Sequence, residues 1–316
     1  MSDATEAPAA APKLVYHLLN VFARERGAFT GNPLCVFEDG SHLDAQQMQA
    51  LARQFNLSET TFILPSSRAT AQVRIFTPGF EMPFAGHPTL GTAHIVRRLA
   101  GAGRRFEGHG KDLDPQFNRL TLAMPAGIIP VEARGDLWTL RANAATTVET
   151  GVTRAAMARA LGLSAADLLW RRGAPRPLWV DTGSQQLIVP LANPDAVRRA
   201  APVAAELARV CAGRRQMVHV FAEAGDGVVQ CRFLFEDDGA LREDPATGSA
   251  CANLGGWYLA TGAAPPLVRR VLQGEQVQRP STLLLSIDAE RVVRVGGEVV
   301  YLGRGELELP SPAGHG

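Results

Sequence analysis

Glu81-Met82-Pro83-Phe84-Ala85-Gly86-His87 and Glu243-Asp244-Pro245-Ala246-Thr247-Gly248-Ser249 share one pattern of Glu, Pro and Gly, 162 positions apart throughout. Each stretch opens an apolar, helix-forming run, over residues 88–100 in the first copy and 250–260 in the second. Upstream, Val73-Arg74-Ile75-Phe76 is echoed by Cys231-Arg232-Phe233-Leu234, with a longer connection before the second turn. Pro and Gly ahead of a helix are common by themselves. The matching strand before each copy argues for duplication, so the chain is expected to consist of two related halves, each running strand, turn, Gly, helix.

Working outward, short β-rich pieces at residues 13–22, 61–64, 73–76, 185–190 and 218–221 alternate irregularly with helical pieces, which predicts an α+β fold. An amphipathic helix is expected over residues 44–55. There Met48, Leu51, Ala52 and Phe55 share one face, and Asp44 with Gln47 makes a capping box. A length of 316 residues suits two domains, or one domain of two halves. Hydrophobic residues at 46% and charged residues at 20% are an ordinary globular composition. With 32 basic against 31 acidic side chains and no basic run, nucleic acid is not an expected partner. Residues 1–12 lack a basic start and an apolar core and are expected to be a disordered leader. No apolar run approaches the ~20 residues of a membrane helix, so no membrane partner is expected and the cytoplasm is the expected location. Cys35, Cys211, Cys231 and Cys251 show no metal-ligand spacing and are expected as buried, reduced thiols.

A helix start after a Gly-containing turn leaves backbone N–H groups unpaired at the positive end of the helix dipole, a ready site for an anion. Two such starts, Gly86-His87 and Gly248-Ser249, would face one another across a pseudo-twofold axis and hold a small carboxylate or an enolate from both sides. Near them stand candidates for proton chemistry: Glu59, His87 and Asp244, with Ser249 as a hydroxyl donor. Glu59 lies between the amphipathic helix and an apolar strand, where burial would raise its pKa toward that of a general base. The bland alternatives are a capping or solvated Glu59, a capping His87 and a turn-forming Asp244. His87 and His94 share a helix face, yet no carboxylate or Cys at ligand spacing accompanies them, so no metal is expected. No nucleotide-binding, zinc-protease or nucleophile-elbow motif occurs. Arg74 and Arg232 are expected to pair across the sheet rather than to bind substrate.

Asn20-Val21-Phe22, Gly31-Asn32-Pro33-Leu34, Asn56-Leu57-Ser58-Glu59-Thr60, the run from Arg74 through Gly91, Glu243 to Ala250, and Gln273-Gly274 with Arg279-Pro280-Ser281 resemble, in order, the signature blocks of the PhzF-like phenazine-biosynthesis family. The resemblance runs from about residue 16 to 305. It implies a diaminopimelate-epimerase-like fold, in which each half wraps a curved sheet or open barrel around a central helix and the site lies between halves. Residues 13–128, completed by a strand near 299–308, would form the first half and 129–298 the second. It further implies a cofactor-independent isomerase that moves a proton within a small carboxylate-bearing substrate, as trans-2,3-dihydro-3-hydroxyanthranilate isomerase does, and a homodimer. By motif match Glu59 falls at the general acid/base, with His87 and Asp244 as further proton-handling groups and Ser58, Gly86, His87, Gly248 and Ser249 at substrate-binding positions. Epimerase relatives place a cysteine at each helix start. Ala85 and Thr247 stand there in this chain, which argues against two-cysteine racemisation, and Cys251 lies four residues further along. Asn20 and Cys35 depart from the residues usual in the family, changes that touch the scaffold. Two alternatives remain open: a racemase or epimerase using Glu59 and Asp244 on opposite faces of a carbon, and a non-catalytic carboxylate-binding protein.

Overall fold

Runs rich in β-branched, leucine and aromatic residues take extended backbone, because such side chains pack well on a pleated, half-buried surface. A computed structural model describes residues 13–106, 116–170, 176–237 and 239–309; the expected leader over 1–12 lies outside them. The first strands are β1 (Lys13–Val21), β2 (Asn32–Phe37), β3 (Glu59–Leu64), β4 (Ala71–Phe76), β5 (Glu81–Met82), β6 (Arg119–Met124), β7 (Gly127–Arg134) and β8 (Leu137–Arg141). After them come β9 (Thr146–Glu149), β10 (Leu178–Asp181), β11 (Gln185–Pro190), β12 (Met217–Gly225), β13 (Val228–Asp237), β14 (Ala240–Asp244), β15 (Leu267–Gln273), β16 (Ser281–Ile287) and β17 (Val293–Glu308). The helices are α1 (Ala45–Phe55), α2 (Gly86–Gly101), α3 (Arg154–Ala160), α4 (Pro194–Arg199), α5 (Ala204–Cys211) and α6 (Gly248–Ala260).

The repeat seen in the sequence is a repeat of topology. In the first set β2 and β3 are parallel, β3, β4 and β5 pair antiparallel in turn, β4 and β6 are parallel, and β6, β7 and β8 are antiparallel. The second set does the same with β11 and β12, then β12, β13 and β14, then β13 and β15, then β15, β16 and β17. The equivalent strands β8 and the first part of β17 pair with each other, which joins both sets into one sheet. The rest of β17 runs along β1, with Glu308 opposite Lys13.

α1 forms as its pattern dictates. The Gln47 amide donates to Asp44 at 2.8 Å, the Asp44 amide donates to the Gln47 side chain at 3.0 Å, and Met48, Leu51 and Ala52 are buried. Asn56 ends it in the left-handed conformation at φ 51°, one that Asn tolerates better than most residues. α6 is apolar all round, the mark of a helix enclosed by its own sheet, and every residue from Ala250 to Tyr258 is buried. α2 is held as closely: a β-carbon added at Gly91 would stand 2.5 Å from Leu34 and 2.8 Å from Leu19. One core cluster takes Leu90 and Val96 from α2 and Leu254 and Trp257 from α6, each large side chain contributing about 1.5–3 kcal/mol by burial. Among the described residues no helix is long and apolar enough to cross a membrane.

Candidate active site

The two central helices begin against each other. A β-carbon added to Gly86 would lie 3.6 Å from the Gly248 Cα, and one added to Gly248 would lie 3.6 Å from the Gly86 Cα and 3.3 Å from the Phe22 ring. Gly86 and Gly248 are equivalent positions of the repeat, and the equivalent strands β8 and β17 pair antiparallel, an arrangement that fits two halves related by a pseudo-twofold axis. Ala85 and Thr247 occupy the N-cap positions, and neither makes a side-chain cap. The first-turn amides of both helices are therefore left for another partner, with two positive dipole ends converging on one place. His87 does not cap its helix; it is buried in the first turn.

Beside this junction stand Glu59, at the start of β3, and Asp244, at the end of β14. Glu59 Oε2 and His87 Nε2 are 3.3 Å apart, with side chains 15% and 6% exposed, and neither atom has a hydrogen-bond partner. Burial, and secondarily the charge of Asp244, push the Glu59 carboxyl up to about 8. Burial pushes the His87 imidazole down to about 3, against a hydrogen bond to the backbone of Pro33. Pro33 has only a carbonyl to offer, so the ring donates there through Nδ1, and Nε2 is an unprotonated nitrogen turned toward Glu59. Near neutral pH the pair is thus a mostly protonated carboxyl beside a neutral imidazole.

Asp244 is held differently. Asn32 donates to Oδ1 at 3.0 Å and Thr247 donates to Oδ2 at 2.5 Å. Burial raises this carboxyl to about 6, opposed by those two hydrogen bonds. Gln273 braces the turn by donating to the Asp244 carbonyl at 2.8 Å and to the Thr247 hydroxyl at 3.0 Å. Asn32 also donates to the Ala246 carbonyl at 3.0 Å, which ties the strand of one half to the turn of the other. Of the two carboxyls, Glu59 has an oxygen with no hydrogen-bond partner, whereas each Asp244 oxygen accepts one.

The remaining residues named from sequence fall as follows. Ser249 sits in the first turn of α6, where its Oγ accepts from Gln186 at 2.9 Å. Ser58 precedes β3 and is exposed. Arg74 clasps Glu81 through two hydrogen bonds of 2.7 Å. Arg232 pairs with Glu243 at 2.8 Å and donates to the Val197, Arg198 and Ala200 carbonyls, capping the end of α4. Both arginines serve the scaffold, at matching places in the repeat. His94 is bound into the core by the Trp138 indole at 3.3 Å. All four cysteines are free and buried, and burial drives the Cys251 thiol far up, which disqualifies it as a proton carrier at the helix start.

Asn32 and Gln273 stand out in the sequence only as members of motifs and Thr247 only as the residue at the second helix start, with nothing in their spacing to show that they fix Asp244. Gln186 and Asn253 had no motif at all. The one signal was a polar side chain inside an apolar strand, Gln186 ahead of Leu187-Ile188-Val189, and another inside an apolar helix.

Two repeated halves with abutting central-helix starts, and a buried carboxyl and imidazole beside them, make up an epimerase-like α+β fold with its candidate site between the halves. The profile of the PhzC-PhzF family, described as phenazine biosynthesis-like protein, matches residues 19–305, and the chain belongs to that family. An uncharacterized isomerase of Pasteurella multocida is 36% identical over 95% of this chain and 96% of its own length. Trans-2,3-dihydro-3-hydroxyanthranilate isomerase of Pseudomonas chlororaphis is 32% identical over 93% of this chain and all of its own, 100%. The crystal structure of a PhzF-family phenazine biosynthesis protein of Bacillus anthracis superposes with a TM-score of 0.77 at 23% identity, covering 94% of this chain and 100% of that one, a likeness of fold.

Proposed function

We propose that this isomerase moves a proton within a small carboxylate-bearing substrate, of the kind handled by trans-2,3-dihydro-3-hydroxyanthranilate isomerase, with Glu59 as the acid/base. The observation that carries the proposal is the buried Glu59 carboxyl, pushed up to about 8, 3.3 Å from a neutral His87 nitrogen beside two abutting helix starts. A base whose pKa lies near the working pH combines a usable ionised fraction with strong proton affinity. Ionised Glu59 takes a proton from a carbon next to the carboxylate or an unsaturated bond. The electron pair left behind spreads as enolate-type charge toward the amides of Gly86, His87, Gly248 and Ser249, and the same carboxyl returns the proton at another carbon. No atom is gained or lost.

One base is favoured over two by the repeat itself. Phe62 lies opposite Arg74 and Val220 opposite Arg232, so the counterpart of Glu59 is Met217. The counterpart of Asp244 is Met82, and Asp244 has both oxygens engaged. A two-base epimerase needs a second acid/base on the opposite face of the carbon, and the repeat places a methionine at the counterpart of Glu59.

The test is proton exchange followed by NMR in deuterated water, with wild type and Glu59→Gln and a panel of small carboxylates that includes trans-2,3-dihydro-3-hydroxyanthranilate. Wild type should isomerise a panel member with deuterium uptake, and Glu59→Gln should be slower by about 10²-fold or more. A mutant as fast as wild type removes Glu59 from the mechanism. Inversion at a single carbon, with no bond migration, would instead make the protein an epimerase.

A further inference from the structure

Ser249 is the counterpart of His87 in the repeat, 162 positions on, and the two are held with opposite hydrogen-bond polarity. His87 gives its ring proton to Pro33 and keeps a lone pair at Nε2. Ser249 has one of its two lone pairs occupied, because Gln186 Nε2 donates to Oγ at 2.9 Å. That direction is fixed from a distance. The Ser184 backbone carbonyl can only accept, and it takes a proton from Asn253 Nδ2 at 2.8 Å. The second Nδ2 proton goes to Gln186 Oε1 at 2.9 Å, and Thr182 donates to Asn253 Oδ1 at 2.8 Å. With its oxygen committed to Asn253, the Gln186 amide can present only N–H to Ser249. Gln186 and Asn253 are both 0% exposed, so no solvent competes to reverse the chain.

Helical hydroxyls commonly discharge their proton onto a carbonyl one turn back. Thr89 in α2 does so, donating to Ala85 at 2.7 Å. Ser249 makes no such bond, and among the described residues its proton has no acceptor. It lies in the first turn of α6, beside free amides.

We propose that Gln186 and Asn253 are positioning residues that hold the Ser249 hydroxyl as an obligate hydrogen-bond donor to the substrate carboxylate, while its counterpart His87 is held as an acceptor on the proton-transfer side. This rests on the reading that a carboxylate-bearing substrate sits at the paired helix starts, and it orients that substrate, carboxylate toward α6 and reacting carbon toward β3 and α2.

The test measures binding of anthranilate and of its uncharged amide at pH 7, by fluorescence titration, to wild type, Gln186→Glu, Ser249→Ala and the double variant. Glu at 186 still accepts from Asn253 but offers oxygen to Ser249, so the hydroxyl turns inward. Affinity for anthranilate should fall about 10- to 100-fold in Gln186→Glu and about 10-fold in Ser249→Ala, with a smaller loss for the amide, whose neutral carbonyl accepts a weaker hydrogen bond. In the Ser249→Ala background the Gln186→Glu loss should shrink several-fold, because the donor it disables is already gone. Gln186→Met, which frees the hydroxyl instead of reversing it, should cost less than Ser249→Ala and serves if the Glu variant does not fold. Losses that multiply independently, equal losses for anthranilate and amide, or wild-type affinity in Gln186→Glu would each overturn the proposal, as would a wild type that binds no anthranilate. A failure of the isomerase reading looks different: no proton exchange, with carboxylate binding intact.

Discussion

Replacing Glu59 with Gln should flatten part of the pH dependence of stability, by an amount the structure sets. In the unfolded chain this carboxyl releases its proton at 4.5, and in the fold only at about 8. Between those values the unfolded state has lost a proton that the native state keeps. Native stability therefore falls as pH rises, by about 1.4 kcal/mol per pH unit, and the contribution is gone above the folded value. From pH 5 to pH 7 the wild type should lose about 2 to 3 kcal/mol relative to Glu59→Gln, and by pH 9 on the order of 4 to 5 kcal/mol. That is a large share of the ~5–15 kcal/mol that holds a typical protein together. Urea unfolding of both proteins at each pH unit across that range gives the comparison directly, since other carboxyls cancel in the difference. The exception is the charge of Asp244, which is relieved when its neighbour is neutral and adds to the gain of the mutant. Two stability curves that run parallel from pH 5 to pH 9 would refute the claim that Glu59 is desolvated in the fold.

Asp244→Asn removes the charge that helps raise Glu59; the rising limb of kcat/KM, expected near pH 8 in wild type, should move to lower pH in deuterium-exchange assays, and an unmoved limb would show that the two carboxyls do not interact. Arg232→Met strands Glu243, whose side chain is 8% exposed, and should cost about 3–5 kcal/mol in denaturant unfolding. Arg74→Met, whose partner Glu81 is 32% exposed, should cost about 1 kcal/mol or less, and equal losses would contradict the burial difference. Gly91→Ala places a methyl group 2.5 Å from Leu34 and should destabilise by about 1–3 kcal/mol. Gly101→Ala, in the same helix with nothing within 4 Å, should instead stabilise by about 0.5–1 kcal/mol.

By itself the sequence determined the duplication, the two helix starts at Gly86 and Gly248, the capped helix α1 and most strand segments, because each rests on periodicity or turn chemistry within a few residues. Glu59, His87, Asp244 and Ser249 were legible as candidates, since their residue types and motifs are local too. Tertiary structure alone decided how those side chains differ. Glu59 and Asp244 are both buried carboxyls, yet Asn32, 212 positions away, engages Asp244 while Glu59 Oε2 is left without a partner. The polarity of the Ser249 hydroxyl depends on Asn253 and on the Ser184 carbonyl, which no motif connects to it. Proton affinity and hydrogen-bond direction are set by desolvation and by which groups the fold brings within about 3 Å, and distances of that kind exist only once the two halves have closed on each other.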